Sequence, residues 1–310
     1  MIWSKVGFDM IPAVAATILF CVSAVTANRA TRLAGSVGAN FWRLVLATLV
    51  LSIWAHGFGG GLQGRAMGMF FASGVIGFGI GDVALYLAYP RLGSRLTLLM
   101  VQTLAAPLAA VCEWLWLGTT VSMPEILASA TILLGVAFAL APAENPHLSR
   151  RDLVLGCLFG LLAAVGQGLG AVMSRVGYAM NDEGSLALDG MTVAYQRILG
   201  GLLVGGVSYL WVKTIAKTEG AATGELGWLP TRASLPWIVM TGISGPTLGV
   251  ACYQMALSGT KSAVVLPIVA TAPLVVMPLS LWMEGDRPGV RAIVGGVIAV
   301  CGVIALGWIA

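Results

Sequence analysis

The chain carries one pattern of apolar segments and punctuation twice, and each copy holds an odd number of segments. Setting Pro107 on Pro273 brings Gly79 onto Gly245, Gly93 onto Gly259 and Trp116 onto Trp282. One extra residue in the second copy then brings Gly135 onto Gly302. Each copy holds five apolar segments. A second copy that follows an odd number of crossings enters the bilayer upside down. Halves related in that way suit a site between them that is exposed first to one side and then to the other.

Composition places these segments in lipid. Apolar residues make up 58% of the chain and charged residues 10%, against about 25% charged in a soluble domain. The segments approach the roughly 20 apolar residues that cross the hydrocarbon. In the first half they cover Met10–Ala27, Ala39–Trp54, Met67–Leu87, Leu96–Leu117 and Ile126–Ala141. In the second half they cover Leu153–Val176, Thr192–Val212, Leu235–Leu257, Ala263–Met283 and Val290–Trp308. A strand barrel would alternate apolar and polar residues in stretches of about ten, and these runs do not. The expected fold is therefore an all-α integral membrane protein, with ten transmembrane helices as two inverted five-helix repeats. The repeats are expected at 1–141 and 153–310, joined by a loop at 142–152. The first segment has a counterpart in the second half, Asn28 and Arg29 standing where Ser174 and Arg175 stand, so it reads as a span and not as a cleaved leader.

Several chemistries have no residues to carry them. The five cysteines, Cys21, Cys112, Cys157, Cys252 and Cys301, all fall inside spans at spacings that suit neither disulfides nor zinc. His56 and His147 fall at or beyond span ends. No phosphate loop is present. The reading requires no metal, no cofactor and no nucleic acid. Its partners are a small-molecule solute and the lipid bilayer, and a homo-oligomer is compatible with it. The charge of +4 is modest, but its distribution is not. An N-terminus in the cytoplasm would put five basic residues inside and twelve of the 17 outside, so the charge rule favours an outside N-terminus.

Ionisable groups within spans are costly and tend to be functional. Asp82 lies well inside the third span, behind Gly77, Gly79 and Gly81, and shares a helical face with Tyr86 and Tyr89. It reads either as a proton-titrating or solute-facing carboxylate or as a structural partner of a nearby arginine. Arg43 opens the second span and Arg197 the seventh, at equivalent places. Either one alone reads as snorkelling to the interface, and their recurrence points to a shared gating or structural role. Gln102, Gln167, Tyr253 and Gln254 add neutral donors and acceptors that suit an amphipathic solute or tie helices together. Glu113, beside Trp114 and Trp116, reads as a solvated charge at a helix end. Pro107 and Pro273 read as equivalent helix breaks that free carbonyls near a central site.

At these residues the chain resembles the drug/metabolite transporter superfamily, and within it the ten-span EamA-type members. The features that carry the resemblance are Gly81 and Asp82 followed by Leu85 and Tyr86, then Arg91 to Arg95, Pro107, and Trp116 to Gly118. The arginine of each second span and the glycine-rich fifth and tenth spans belong to the same set. The resemblance implies two five-helix inverted repeats around a cavity, with the fifth and tenth helices at the periphery. It implies secondary transport of a small metabolite, an amino acid or related compound, by export and alternating access. It also implies both termini in the cytoplasm of a multi-pass protein of the cell membrane, the bacterial inner membrane. The alternatives from other classes are a channel, a non-transporting membrane scaffold, and an intramembrane aspartyl protease. The last rests on Gly79, Gly81 and Asp82 and needs a second carboxylate sharing the proton.

Overall fold

Glycines and prolines punctuate a chain that is otherwise largely helix, and those that decide the architecture sit in the third, fourth, eighth and ninth spans. A computed structural model describes residues 2–118, 120–140, 149–182, 188–218, 229–284 and 289–309. Among them the regular structure is entirely helical. It runs α1 (Ile2–Ala34), α2 (Ser36–Gly57), α3 (Met67–Gly74), a π-helical turn (Val75–Gly81), α4 (Asp82–Leu117), α5 (Met123–Leu140), α6 (Arg150–Asp182) and α7 (Gly190–Thr218). It continues with α8 (Leu235–Gly242), a second π-helical turn (Ile243–Gly249), α9 (Val250–Gly259), α10 (Ser262–Val269), α11 (Ala272–Glu284) and α12 (Val290–Ile309). Eight helical stretches are long and apolar enough to cross a membrane, and two shorter apolar ones are Met123–Gly135 and Ile293–Gly302.

Backbone geometry explains where spans begin and end. Gly93 has φ 76° and ψ 171°, a combination that residues with a Cβ rarely adopt. It divides α4, so that Met67–Ser94 forms one span and Met100–Leu117 the next. Pro107 does not break its helix, contrary to expectation: the only non-helical backbone inside α4 is at Gly93. Proline's fixed φ is itself helical, and losing one hydrogen bond kinks a helix more readily than it ends one. The ninth span is interrupted at Ala270 and Thr271, and Pro273 stands just after that gap. Of the expected connection at 142–152, residues 142–148, with His147, lie outside the described residues. Arg150–Asp152 are instead the first turn of α6, because Ser149 Oγ accepts the Asp152 N–H at 3.0 Å.

Packing places α1, α2, the third span and α4 around α6–α11. Helices α2 and α7 run antiparallel, with Phe41 stacked on Tyr209 at 4.4 Å near one end. His56 Nε2 lies 3.2 Å from the Tyr195 hydroxyl near the other. Helix α12 packs chiefly on α5 at the periphery, where Gly135 meets the Ala299 backbone and Gly302 meets Ile132. Without a hydrophobic drive between helices in lipid, such small-residue contacts supply the association. Large apolar side chains such as Ile53, Leu115, Leu134 and Trp211 cover the outside, as expected of surfaces that meet acyl chains.

Asp189 starts α7. Its Oδ1 accepts the N–H groups of Met191 and Thr192, both at 3.0 Å, and the Trp54 indole N–H at 3.1 Å. Its Oδ2 accepts the Thr192 hydroxyl at 2.6 Å. Partial burial raises the carboxyl pKa, but these hydrogen bonds outweigh it and hold the group below the usual carboxylate value. Asp189→Ala is expected to cost about 1 kcal/mol, the usual worth of an N-cap, with the charge part reduced by solvent screening. A depressed folded pKa means that this stabilisation is complete above the unfolded value of about 3.9 and fades as pH falls through the folded one. Melting curves in detergent check both points: the gap between wild type and variant should be open at neutral pH and close below about pH 4.

Candidate functional site

Two π-helical turns prepare the centre of the bundle. Each widens its helix by one residue per turn, and each lies against an arginine from the other half of the chain. A Cβ on Gly77, in the first turn, would stand 3.2 Å from an Arg197 terminal nitrogen. A Cβ on Gly245, in the second, would stand 3.3 Å from an Arg43 terminal nitrogen. Gly74 approaches the Arg197 backbone, and Gly242 the Arg43 backbone. Gly81 packs on Gly166 of α6, and Gly249 on Phe20 of α1. These matched contacts put Gly77 opposite Gly245, a shift of two residues from the Gly79 pairing expected from the spacing. The two turns are equally long, so the difference falls after them: Gly93 lies twelve residues beyond Gly81, and Gly259 ten beyond Gly249.

Between these turns lies a cavity of about 110 Å³, room for several waters. Asp82, Tyr86, Gln102, Gln167, Tyr253, Arg43 and Arg197 all line it. Gln254 does not: it is fully buried on α9 beside Tyr253, with neither amide atom hydrogen-bonded to a described residue. Neighbours on a helix face about 100° apart, and here Tyr253 faces the cavity while Gln254 is turned into the packing around it.

Neither arginine snorkels. Ser36 to Arg43 and Gly190 to Arg197 are each seven residues, roughly 10 Å of helix. From that depth both side chains turn inward and are about 95% buried, at 4% and 5% exposure. Arg43 Nε donates to Asn40 Oδ1 at 3.0 Å, and a terminal nitrogen makes a short ion pair with Asp82 Oδ2. Its guanidinium also lies 4.4 Å above the Tyr86 ring, a favourable cation–π distance. The Tyr86 hydroxyl meets Thr241 Oγ1 at 3.1 Å, which meets Ser23 Oγ at 3.0 Å. Opposite, Gln167 Nε2 donates to Gln102 Oε1 at 2.5 Å. Arg197 lies 5.2 Å from the Phe78 ring centre. Asp82 is the sole carboxylate among the described lining residues, so the paired carboxylates of an aspartyl protease are not assembled there.

Buried charges tie three helices together at one end of the bundle. Glu113, expected in water, is 2% exposed. Its carboxylate receives Arg175 Nε at 3.3 Å and the Ser262 N–H at 3.0 Å, and Arg175 Nη1 donates to the Leu257 carbonyl at 2.9 Å. Three spans meet in this knot: α4, α6 and the α9–α10 junction. Lys261 bonds Glu125 at 3.2 Å beside it. Adjacent tryptophans suggested an interfacial Glu113, but they lie on the outer face of the helix and Glu113 on the inner one. Thr241 and Asn40 complete the arginine's surroundings and carry no sequence signal beyond being polar residues in apolar runs.

The model of the EamA-like transporter family matches the chain twice, over residues 8–141 and 154–308. Twenty-eight chains of solved structures match it. One, described as "Crystal structure of protein", superposes with a TM-score of 0.64 at 16% identity, covering 96% of this chain and 97% of that one. At that identity the likeness shows the fold alone. No curated protein matches.

Proposed function

Because the chain belongs to the EamA-like transporter family, we propose that it is a secondary transporter that moves a small solute through the central cavity by alternating access. The observation that carries this reading is the cavity wall itself. Both halves contribute charged and hydrogen-bonding side chains to it, and at one end of the bundle the Glu113, Arg175 and Ser262 knot joins helices of both halves. Opening that end means parting α4 and α6 from the α9–α10 junction. Two charged groups and a backbone N–H would then meet water, which keeps the cost of opening low.

In this reading the repeats are 1–141 and 153–310, related by inversion. The matched contacts around Gly77 and Gly245, and the antiparallel course of α2 and α7, support that relation. Helices α5 and α12 complete the count to ten spans, the eight long stretches being joined by the two shorter ones. Asp82, Arg43 and Arg197 carry the charges of the pathway, while Tyr86, Gln102, Gln167 and Tyr253 supply neutral hydrogen-bonding groups. Gln254 has no place in it. The solute class is an amino acid or related compound, moved outward across the cell membrane.

Reconstitution tests this. A compound that accumulates in cells lacking the gene is expected to enter proteoliposomes carrying the purified chain, and to do so saturably. Flux that rises in proportion to concentration without a plateau would instead favour a channel. No flux of any accumulating compound would favour a scaffold. A channel conducts through sites too weak to saturate at low concentration, whereas a carrier turns over once per conformational cycle.

A further inference from the structure

We propose that Arg197 is the seat for an anionic group, and that the solute is an amphipathic monoanion. The argument begins with charge. The described lining of the cavity carries two guanidinium groups and one carboxylate. That carboxylate is engaged: Asp82 is paired with Arg43, whose Nε is held by Asn40 and whose flat face lies on Tyr86. Arg197 is as deeply buried, at 5% exposure, yet it makes no hydrogen bond to any described residue, and its Nε is enclosed without a partner. The contacts that match Gly77 with Gly245 put Val250 where a second carboxylate would answer Asp82, each five residues further along. The chain thus gives one arginine a hydrogen-bonded counter-ion and leaves the other facing, among the described lining residues, a carboxylate that is already paired.

A guanidinium kept out of water without a counter-ion is expensive. A solute carboxylate or similar anion would meet it in a charge-assisted, two-point hydrogen bond. The Tyr253 hydroxyl is a further donor in the cavity wall. It is buried, has no partner among the described residues, and lies within electrostatic reach of Arg197. Beside Ser23, Gln102 and Gln167, much of the remaining wall is apolar, through Phe20, Phe78, Leu85, Leu98 and Val101, and suits a hydrocarbon or aromatic body. A zwitterion fits less well. Its ammonium group would have to take Asp82 from Arg43, and the chamber would keep its surplus positive charge. The inference narrows the proposed class, an amino acid or related compound, to the anionic relatives that lack the ammonium group, and it rests on the transport reading only for the solute's passage.

Binding to the full-length chain in neutral detergent tests it, read as the thermal unfolding midpoint during titration. Probes are monocarboxylates from butyrate to phenylpropionate, with phenylpropionamide, phenethylamine and phenylalanine as the uncharged, cationic and zwitterionic counterparts. Phenylpropionate is expected to bind at least about tenfold more tightly than its amide, the worth of one charge-assisted contact. Arg197→Gln should cut that preference below about threefold, and Arg197→Lys should keep part of it. Should the glutamine variant fail to fold, the acid-to-amide comparison in wild type and the lysine variant still decide. Equal binding of acid and amide, an acid preference that survives in Arg197→Gln, or no stabilisation by any monocarboxylate would each overturn the proposal. Anion-selective binding without flux would uphold the seat and remove the transport reading. Saturable flux with no anion preference in binding would overturn the seat and leave transport standing.

Discussion

Asp82→Ala is expected to destabilise the chain by about 3 kcal/mol, the lower end of the range for breaking a buried ion pair. The loss comes from what is left behind. Arg43 stays buried at 4% exposure and keeps Asn40 and the Tyr86 face, but its charge has no opposite. Asp82 keeps 16% of its side-chain exposure toward the cavity, so water there softens the penalty and the lower end applies. The double variant Asp82→Leu with Arg43→Met is expected to be more stable than Asp82→Ala alone, since removing both charges removes the desolvation cost as well. Unfolding curves in detergent for the single and double variants read both terms. A double variant less stable than Asp82→Ala would show that the pair is not what holds α2 against the third span.

Gly74→Ala should be the more damaging of two outwardly similar glycine substitutions. A Cβ at position 74 would lie 1.7 Å from the Arg197 carbonyl oxygen and 2.5 Å from its carbonyl carbon. Both are backbone atoms of α7, so no rotamer change relieves the clash and the third span must move off α7. Overpacking of this kind costs about 1–3 kcal/mol where side chains can yield and more where they cannot. Failure to accumulate in the membrane is the expected extreme. Gly296→Ala in α12 is the control, because its Cβ would meet only Leu274 methyl groups at 3.8 and 4.0 Å. There the change to a better helix former is expected to be neutral or to add up to about 1 kcal/mol. Melting temperatures of the two variants should fall on opposite sides of, or unequally distant from, wild type. Equal values would mean that α3 and α7 are less closely packed than these distances require.

Much of this arrangement was legible in the chain, and the exceptions share a cause. The duplication and the apolar runs are global patterns, and they point to paired helical halves without reference to any single contact. Asp82 with Tyr86 and Tyr89 was visible because one helical face repeats at a fixed spacing. Arg43 and Arg197 were visible as recurring residues but were placed at the interface. Nothing local distinguishes an arginine that snorkels from one that turns inward; the difference lies in Gly77 and Gly245 on neighbouring helices, which leave it room. Glu113 was misplaced for a related reason, its partners Arg175 and Ser262 being 62 and 149 residues away. Pro107 showed the limit of reading proline as a stop, and Gln254 the limit of assigning a role to every polar group in a span.

The two widened turns carry a consequence for how this protein tolerates the loss of a single codon. Deleting one residue from Val75–Gly81 would let the backbone relax into an ordinary helix, leaving its hydrogen bonds intact and its length nearly unchanged. The facing of everything downstream would be kept, because a π turn holds one residue more than the α turn it replaces, so Asp82 would still meet Arg43. The same loss a turn later, in the regular helix of α4, would rotate all that follows by about 100°, so Val75–Gly81 and, in the second half, Ile243–Gly249 are where these helices can give up a codon and keep their walls in register.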